Sequence, residues 1–263
     1  MSVLTVPSPI TVATIGALHV EVYADRGALG RAAAALVADA LRERLVRPGE
    51  ARVVFASAPS QNEFLAALLD EPGVDWARVA AFHMDEYLGL APDAPQNFGQ
   101  WLQNRLFDHR PFAAVHRLRS DAPDVAEECA RYEALLRAAS LDVVCLGIGE
   151  NGHLAFNDPP VADFDDTAWV KPVEIDEVSR NQQVHDGAFA TVDEVPRVAL
   201  TLTIPALLSG RLLSAVVPGP RKAEAIRRTL TGPISTDCPA SILRRCPHAR
   251  LLLDVDSAAL VSL

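Results

Sequence analysis

From Gly147 to Pro160 the chain reads Gly-Ile-Gly-Glu-Asn-Gly-His-Leu-Ala-Phe-Asn-Asp-Pro-Pro, which places Asn151, His153, Asn157 and Asp158 within eight residues. An imidazole titrates near neutral pH, and a neighbouring carboxylate orients and polarises it. Amides fix such groups through hydrogen bonds without adding charge. A second segment, Met84-Asp85-Glu86-Tyr87-Leu88-Gly89-Leu90, sets two adjacent carboxyl groups just after another apolar run. Acid/base groups on two separated segments point to an active site for proton transfer.

Such groups need rigid elements behind them. Leu141–Leu146 is apolar without polar alternation, the signature of a buried parallel strand. Gly147 and Gly149 then let the backbone turn and approach a ligand closely. Val79–Phe82 is the strand that delivers Asp85, and ligands of open α/β sheets bind at strand carboxyl ends. Further strands are predicted at His19–Tyr23, Arg52–Ala56, Val198–Thr203, Leu213–Val217 and Arg250–Val255. Helical spacing runs through Leu29, Leu36, Val37, Leu41 and Leu45, and again over Ser60–Asp70, where Ser60 is a candidate N-cap and Glu63 completes a capping box. Helices are also expected around Asn97–Phe107, Asp124–Ala138 and Arg221–Leu230. This alternation predicts an α/β fold with a mostly parallel central sheet covered by helices on both faces. No repeat or linker divides the chain, so a single domain over residues 1–263 is expected. Asp158–Val178 lacks periodicity and is acidic and Pro-bearing, which reads as a mobile lid.

The bulk properties narrow the partners. The 263 residues are 49% hydrophobic and 22% charged, with a net charge of −10, so nucleic acid is not the expected partner. A local cation and a helix amino end still suffice to hold a small anion. Cys129, Cys145, Cys238 and Cys246 show no metal-ligand spacing, and Cys145 reads as a small buried hydrophobe. Met1–Pro9 has no signal-peptide pattern and no apolar run is long enough to span a membrane. The expectations are a reduced, cytoplasmic protein without disulfide, membrane partner, metal or cofactor. His83, His109, His116 and His248 lie outside the motifs and read as packing or surface residues.

Both motifs resemble those of the glucosamine-6-phosphate deaminase/isomerase group, which is related to the 6-phosphogluconolactonases. The resemblance runs from about Ala51 to the carboxyl end; Tyr87 and Ala155-Phe156-Asn157 side with the deaminase branch. It implies a three-layer, modified Rossmann-like fold and an aldose–ketose isomerisation coupled to loss of ammonia from a phosphorylated amino sugar. It makes Asp85 the enolisation base, His153 the ring-opening group, and Asp158 the carboxylate that orients His153. Asn151 would fix the imidazole by hydrogen bonding. Ser57, Ser60, Gln61, Glu86, Gly149, Gln183, Arg180 and Lys222 become candidate substrate-binding residues, with Glu86 also suited to structural hydrogen bonds. Homo-oligomers and monomers are both compatible with the resemblance.

Three departures bear on the substrate. The phosphate loop reads Ala56-Ser57-Ala58-Pro59-Ser60-Gln61-Asn62, without the glycines that let backbone amides close on an anion. Gln183 stands where the deaminases place an arginine, and an amide cannot supply a charge-assisted fork; Arg180, one turn earlier, is the candidate replacement. Asp158 stands in place of glutamate, one methylene shorter. The acidic run Asp163–Trp169 also replaces an effector-binding pattern. Galactosamine 6-phosphate, or a sugar with its anion elsewhere, would fit such a rebuilt grip. Two further readings are lactone hydrolysis, with His153 as general base, and a non-catalytic sugar-phosphate-binding regulator.

Overall fold

A computed structural model describes residues 6–263; Met1–Thr5, part of the amino-terminal stretch read above, lie outside them. The first half of the chain forms β1 (Thr11–Ile15), β2 (Leu18–Tyr23), α1 (Arg26–Leu45), β3 (Ala51–Phe55), α2 (Asn62–Asp70), β4 (Val79–His83), β5 (Asp85–Tyr87), α3 (Phe98–Arg105), β6 (Ala114–His116) and α4 (Val125–Arg137). The second half forms β7 (Val143–Leu146), β8 (Val170–Glu174), α5 (Glu177–His185), β9 (Val198–Leu202), α6 (Ile204–Leu208), β10 (Leu212–Val217), α7 (Ala223–Thr231) and β11 (Ala249–Asp254).

Eight strands make the main sheet, in the order β1-β2-β11-β10-β7-β3-β4-β6. Every pairing is parallel except β1 with β2. From β3 the chain builds outward through β4 to β6, then returns to place β7 on the other side of β3 and builds outward again through β10 and β11. The loops leaving β3 and β7 therefore part in opposite directions and leave a crevice at their carboxyl ends, where ligands of doubly wound sheets bind.

Period-2 alternation divides the sheet between two cores. Val53, Phe55, Val143, Cys145, Val216 and Leu252 face α1, α2 and α3, where they meet Leu29, Val37, Leu41, Phe64, Leu68 and Leu102. Val54, Phe82, Val144, Leu146, Ala215 and Leu251 face the other way, toward Tyr132, Leu136, Ile204, Leu207 and Ile226. Both faces being covered explains why the strands read as unbroken apolar runs. The three-layer architecture agrees with the expectation, and Cys145 is fully buried as a free thiol.

Several elements differ from the sequence reading. A second sheet, β5-β9-β8, is antiparallel, so the predicted strand Val198–Thr203 lies outside the main sheet. It covers an aromatic cluster of Tyr87, Phe98, Phe156 and Phe189. The expected lid contains β8, and Lys171 ties its preceding loop down through the carbonyl of Val161 at 2.9 Å and Asp166 at 2.8 Å. Ser60 is not an N-cap: Pro59–Gln61 forms a 3₁₀ turn ahead of α2, with no side-chain cap. Glu63, free of the expected capping box, pairs with Arg26 at 3.0 Å instead. Among the described residues no helix is long and apolar enough to cross a membrane.

Candidate active site

The loop after β7 is bent so that its own histidine lies against it. Gly149 N–H donates to the carbonyl of His153 at 3.0 Å, and Gly152 N–H to that of Gly149 at 3.0 Å. A Cβ on Gly149 would lie 2.1 Å from the imidazole, so the glycine makes room for the ring. Gly152 has φ 88°, and a Cβ there would lie 2.6 Å from the Cys238 sulfur. Ala155 adopts φ 50°, a left-handed conformation costing about 1–2 kcal/mol for a residue with a Cβ. Its neighbours enforce it: Phe156 N–H donates to Thr201 Oγ1 at 3.1 Å, and the Asn157 amide donates to the carbonyls of Leu154 at 2.8 Å and Leu202 at 2.7 Å. Such strain collects at functional sites.

His153 is held on one side only. Its Nδ1 lies 3.0 Å from Asp158 Oδ1 and 2.7 Å from Ser179 Oγ, and the Ser179 hydroxyl also bonds Asp158 Oδ1. Asp158 further accepts from the Asn151 amide at 2.9 Å and from the Asp176 N–H at 3.1 Å. Burial pushes the Asp158 carboxyl up, but the charge and hydrogen bond of His153, with the bonds from Asn151 and Ser179, outweigh it and bring it down to about 2. Asp158 is thus a fixed anion that holds one ring nitrogen, while Nε2 has no partner among the described residues.

Asp85 and Glu86 are neighbours on β5, so their side chains leave on opposite sides. Asp85 joins His153 on the wall of one cavity. Burial, then the charge of Glu86, raises its proton affinity well above that of an ordinary aspartate. Glu86 turns away and accepts from the N–H groups of Tyr87 at 3.1 Å, Phe98 at 2.9 Å and Gly99 at 2.8 Å, capping the start of α3. Burial raises its carboxyl to about 7 against the pull of those amides and of Arg117.

The other end of the cavity is lined by Ser57, Ser60, Gln183 and Lys222. Ser57 Oγ is buried and has no hydrogen-bond partner. Lys222 is 9% exposed; burial lowers its pKa, with Asp186 and Glu150 pulling the other way. Its loop is fixed by Asp254, whose carboxylate accepts from Gly219 N–H at 3.0 Å. The cavity proper is small, about 60 Å³, and abuts a wider vestibule of about 480 Å³ through the shared residues Ser57, Ala58, Phe98 and Gln183.

Of the residues predicted from sequence, Asp85, His153, Gly149, Ser57, Ser60, Gln183 and Lys222 line the cavity. Five others do not: Asp158 and Asn151, which stand behind His153, and Gln61, Arg180 and Glu86. Gln61 is wholly buried behind the loop, donating to the Val216 carbonyl at 3.1 Å. The Arg180 guanidinium bonds the carbonyls of Val192 and Val195, so it is no replacement for a phosphate-gripping arginine. Glu86 takes the structural role described above. Asn151 orients His153 through the backbone, its Oδ1 accepting the His153 N–H at 3.0 Å, rather than through the ring. Ser179, bonded to His153, and Gln182, on the cavity wall, stand outside the sequence expectations. Ser179, Gln182, Gln183 and Asp186 share one face of α5 and its end at i, i+3, i+4, i+7 spacing, a signal that was present in the chain.

A profile of the family described as glucosamine-6-phosphate isomerases/6-phosphogluconolactonase matches residues 24–252. The glucosamine-6-phosphate deaminase of Exiguobacterium sibiricum is 34% identical over 222 residues, 84% of this chain and 86% of that one. That of Bacillus cereus is 32% identical over 223 residues, covering 84% and 83%. The structure of a monomeric glucosamine-6-phosphate deaminase superposes with a TM-score of 0.85 at 29% identity, covering 92% of this chain and 99% of that one. A 6-phosphogluconolactonase from Shewanella baltica shares the fold, with a TM-score of 0.73 at 18% identity over 92% and 97% of the two chains.

Proposed function

Because the chain belongs to the glucosamine-6-phosphate isomerase/6-phosphogluconolactonase family, we propose that it is an amino-sugar-phosphate isomerase/deaminase. The observation that carries this is the sharing of one cavity wall by Asp85 and by a histidine locked at Nδ1. His153 Nε2 moves a proton from the anomeric hydroxyl to the ring oxygen, breaking the C1–O5 bond and exposing the aldehyde. Asp158 and Ser179 hold the ring in place and offset the charge it gains. Asp85 then takes the C2 proton and returns it to C1 while a proton passes from the amine nitrogen to O1, turning the aldose into a ketose-level imine. A water adds at C2 and ammonia leaves, giving the 2-ketose phosphate. A carboxylate of raised proton affinity suits the carbon-acid step, because a stronger base narrows the gap to a weakly acidic C–H.

Ser57, Ser60, Gln183 and Lys222 take the phosphate in this reading, which fixes the sugar with C1 and C2 toward Asp85. Tyr87 and Phe156, the residues at which the two motifs side with the deaminase branch, pack against each other with ring centroids 5.7 Å apart. The deaminase-type motif residues Tyr87 and Ala155-Phe156-Asn157 support the isomerase over the lactone hydrolase. Proton NMR in heavy water with glucosamine 6-phosphate, galactosamine 6-phosphate and their unphosphorylated forms tests the proposal. Deuterium entering at C1 or C2, with ammonia released, is the expected result. A folded protein that exchanges no carbon-bound proton in any of these sugars would sink it.

A further inference from the structure

The phosphate end of the cavity is short of positive charge. A phosphate monoester carries about −1.5 to −2 at neutral pH, and Lys222 is the one lysine or arginine lining the cavity among the described residues. Arg221 is engaged by Asp186 at 3.0 Å and Glu150 at 3.7 Å. Arg26 is engaged by Glu63 at 3.0 Å. Gln183 adds a dipole and no charge.

Arg105 stands just beyond. It lines the vestibule together with Ser57, Ala58 and Gln183, which border both spaces. Its guanidinium lies over the Trp101 ring, 4.2 Å from the centroid, and its Nε donates to Asn62 Oδ1 at 3.0 Å. It has no carboxylate partner among the described residues; Asp186, on the same lining, is bound to Arg221. A second mark of a ligand falls on the same border: the Ser57 hydroxyl, on a residue 8% exposed, has no partner within the protein and lines both spaces.

We propose that Arg105 completes the oxyanion site: a phosphate at the border of cavity and vestibule meets Lys222 and Ser57 on its inner side and the Arg105 guanidinium on its outer side. Trp101 and Asn62 are positioning residues, holding the guanidinium flat so that little freedom is lost when it forks onto two oxygens. The site selects a terminal dianion, since two cations on opposite sides leave a neutral hydroxymethyl group with two unmatched charges. The sugar it serves rests on the reading above; the anion site does not.

Calorimetric titration with inorganic phosphate, beside steady-state turnover of glucosamine 6-phosphate, tests this on the full chain. In Arg105→Met, a surface change that leaves the core intact, phosphate affinity is expected to weaken and KM to rise, each roughly tenfold, with kcat within roughly threefold. Exchange with unphosphorylated glucosamine stays unchanged. Adding Gln183→Arg to that variant is expected to restore both losses by returning a guanidinium to the border. Unaltered phosphate affinity in Arg105→Met would overturn the inference even if the deamination reading stands, as would a wild-type protein that does not bind phosphate. A protein that binds phosphate through Arg105 but turns over no amino sugar phosphate would support the site while refuting the reading above.

Discussion

The two ends of the candidate active-site cavity are built on opposite plans. At the chemical end, the polar groups that fix His153 are each engaged by a neighbour: Asp158 accepts from Asn151, Ser179 and Asp176, and Asn151 accepts from the His153 backbone. At the anion end, Ser57 Oγ has no partner and Lys222 is buried without an ion pair among the described residues. Satisfied buried groups are already in their working geometry and cost nothing to reorganise during reaction. Unsatisfied ones destabilise the empty protein and recover that cost only when a ligand arrives. Preorganisation for chemistry and readiness for binding are thus different structural states, some residues apart in one cavity.

The largest expected effect tests the chemical end. Asp85→Asn should lower C1/C2 proton exchange by about a hundredfold to ten-thousandfold, the range for losing a general base. Its stability should move the other way. Below the ordinary aspartate pKa of 3.8, Asp85 is protonated folded and unfolded, so wild type and variant melt alike. As pH rises through the raised folded-state pKa, wild type carries a buried charge that the variant lacks. Thermal melts at pH 5 and pH 8 should therefore show the variant gaining on wild type; a variant that loses ground at pH 8 refutes the buried-charge account.

Asp158→Asn comes next, with kcat lower by up to about ten-thousandfold, as when the carboxylate that orients a working histidine is neutralised. Here the sign reverses. The folded pKa, about 2, lies below the ordinary 3.8, so the carboxylate stabilises the fold above pH 3.8 and that contribution fades as pH falls toward 2. The gap in Tm between wild type and variant should narrow over that window, which melts at pH 6, 4 and 2.5 would reveal.

The anion end should respond through binding. Lys222→Met is expected to raise KM for the phosphorylated sugar about tenfold, with kcat little changed and the free protein no less stable, because an unpaired buried ammonium is removed. A marked fall in Tm would mean that Lys222 is an internal strut. The smallest effect belongs to Ser57→Ala: about a threefold rise in KM, with a Tm equal to or above wild type, since an orphan hydroxyl disappears. If Ser57→Ala and Asp158→Asn shift Tm in the same direction at neutral pH, the contrast between the two ends fails.

The missed elements share a cause. β1 alternates between half-buried and exposed positions at the sheet edge, and β6 has three residues, so neither shows the apolar run that marked its inner neighbours. β8 carries Pro172, which an edge strand tolerates because its missing N–H faces away from the ladder, and the proline favoured a loop reading. Ser60 precedes a helix and has the right type for a cap, but Pro59 starts a 3₁₀ turn that carries the Ser60 side chain to the cavity. Arg180 and Gln183 lie within one turn of α5, yet their side chains part: one to the carbonyls of the following loop, the other to the site.

Local pattern was sufficient to locate the strand ends, the motifs they carry, the glycines that let His153 fold back, and hence the family and the proton-transfer chemistry. Those features depend on neighbours along the chain, through side-chain period and backbone freedom. The meeting of Ser179 with His153, 26 residues apart, and of Arg105 with Asn62, 43 apart, depends on how helices settle on the sheet. So does the parting of Asp85 toward the cavity and Glu86 toward α3. Packing brings surfaces together whose pairing no short window of sequence contains, and it sets which of two adjacent carboxylates lines the cavity.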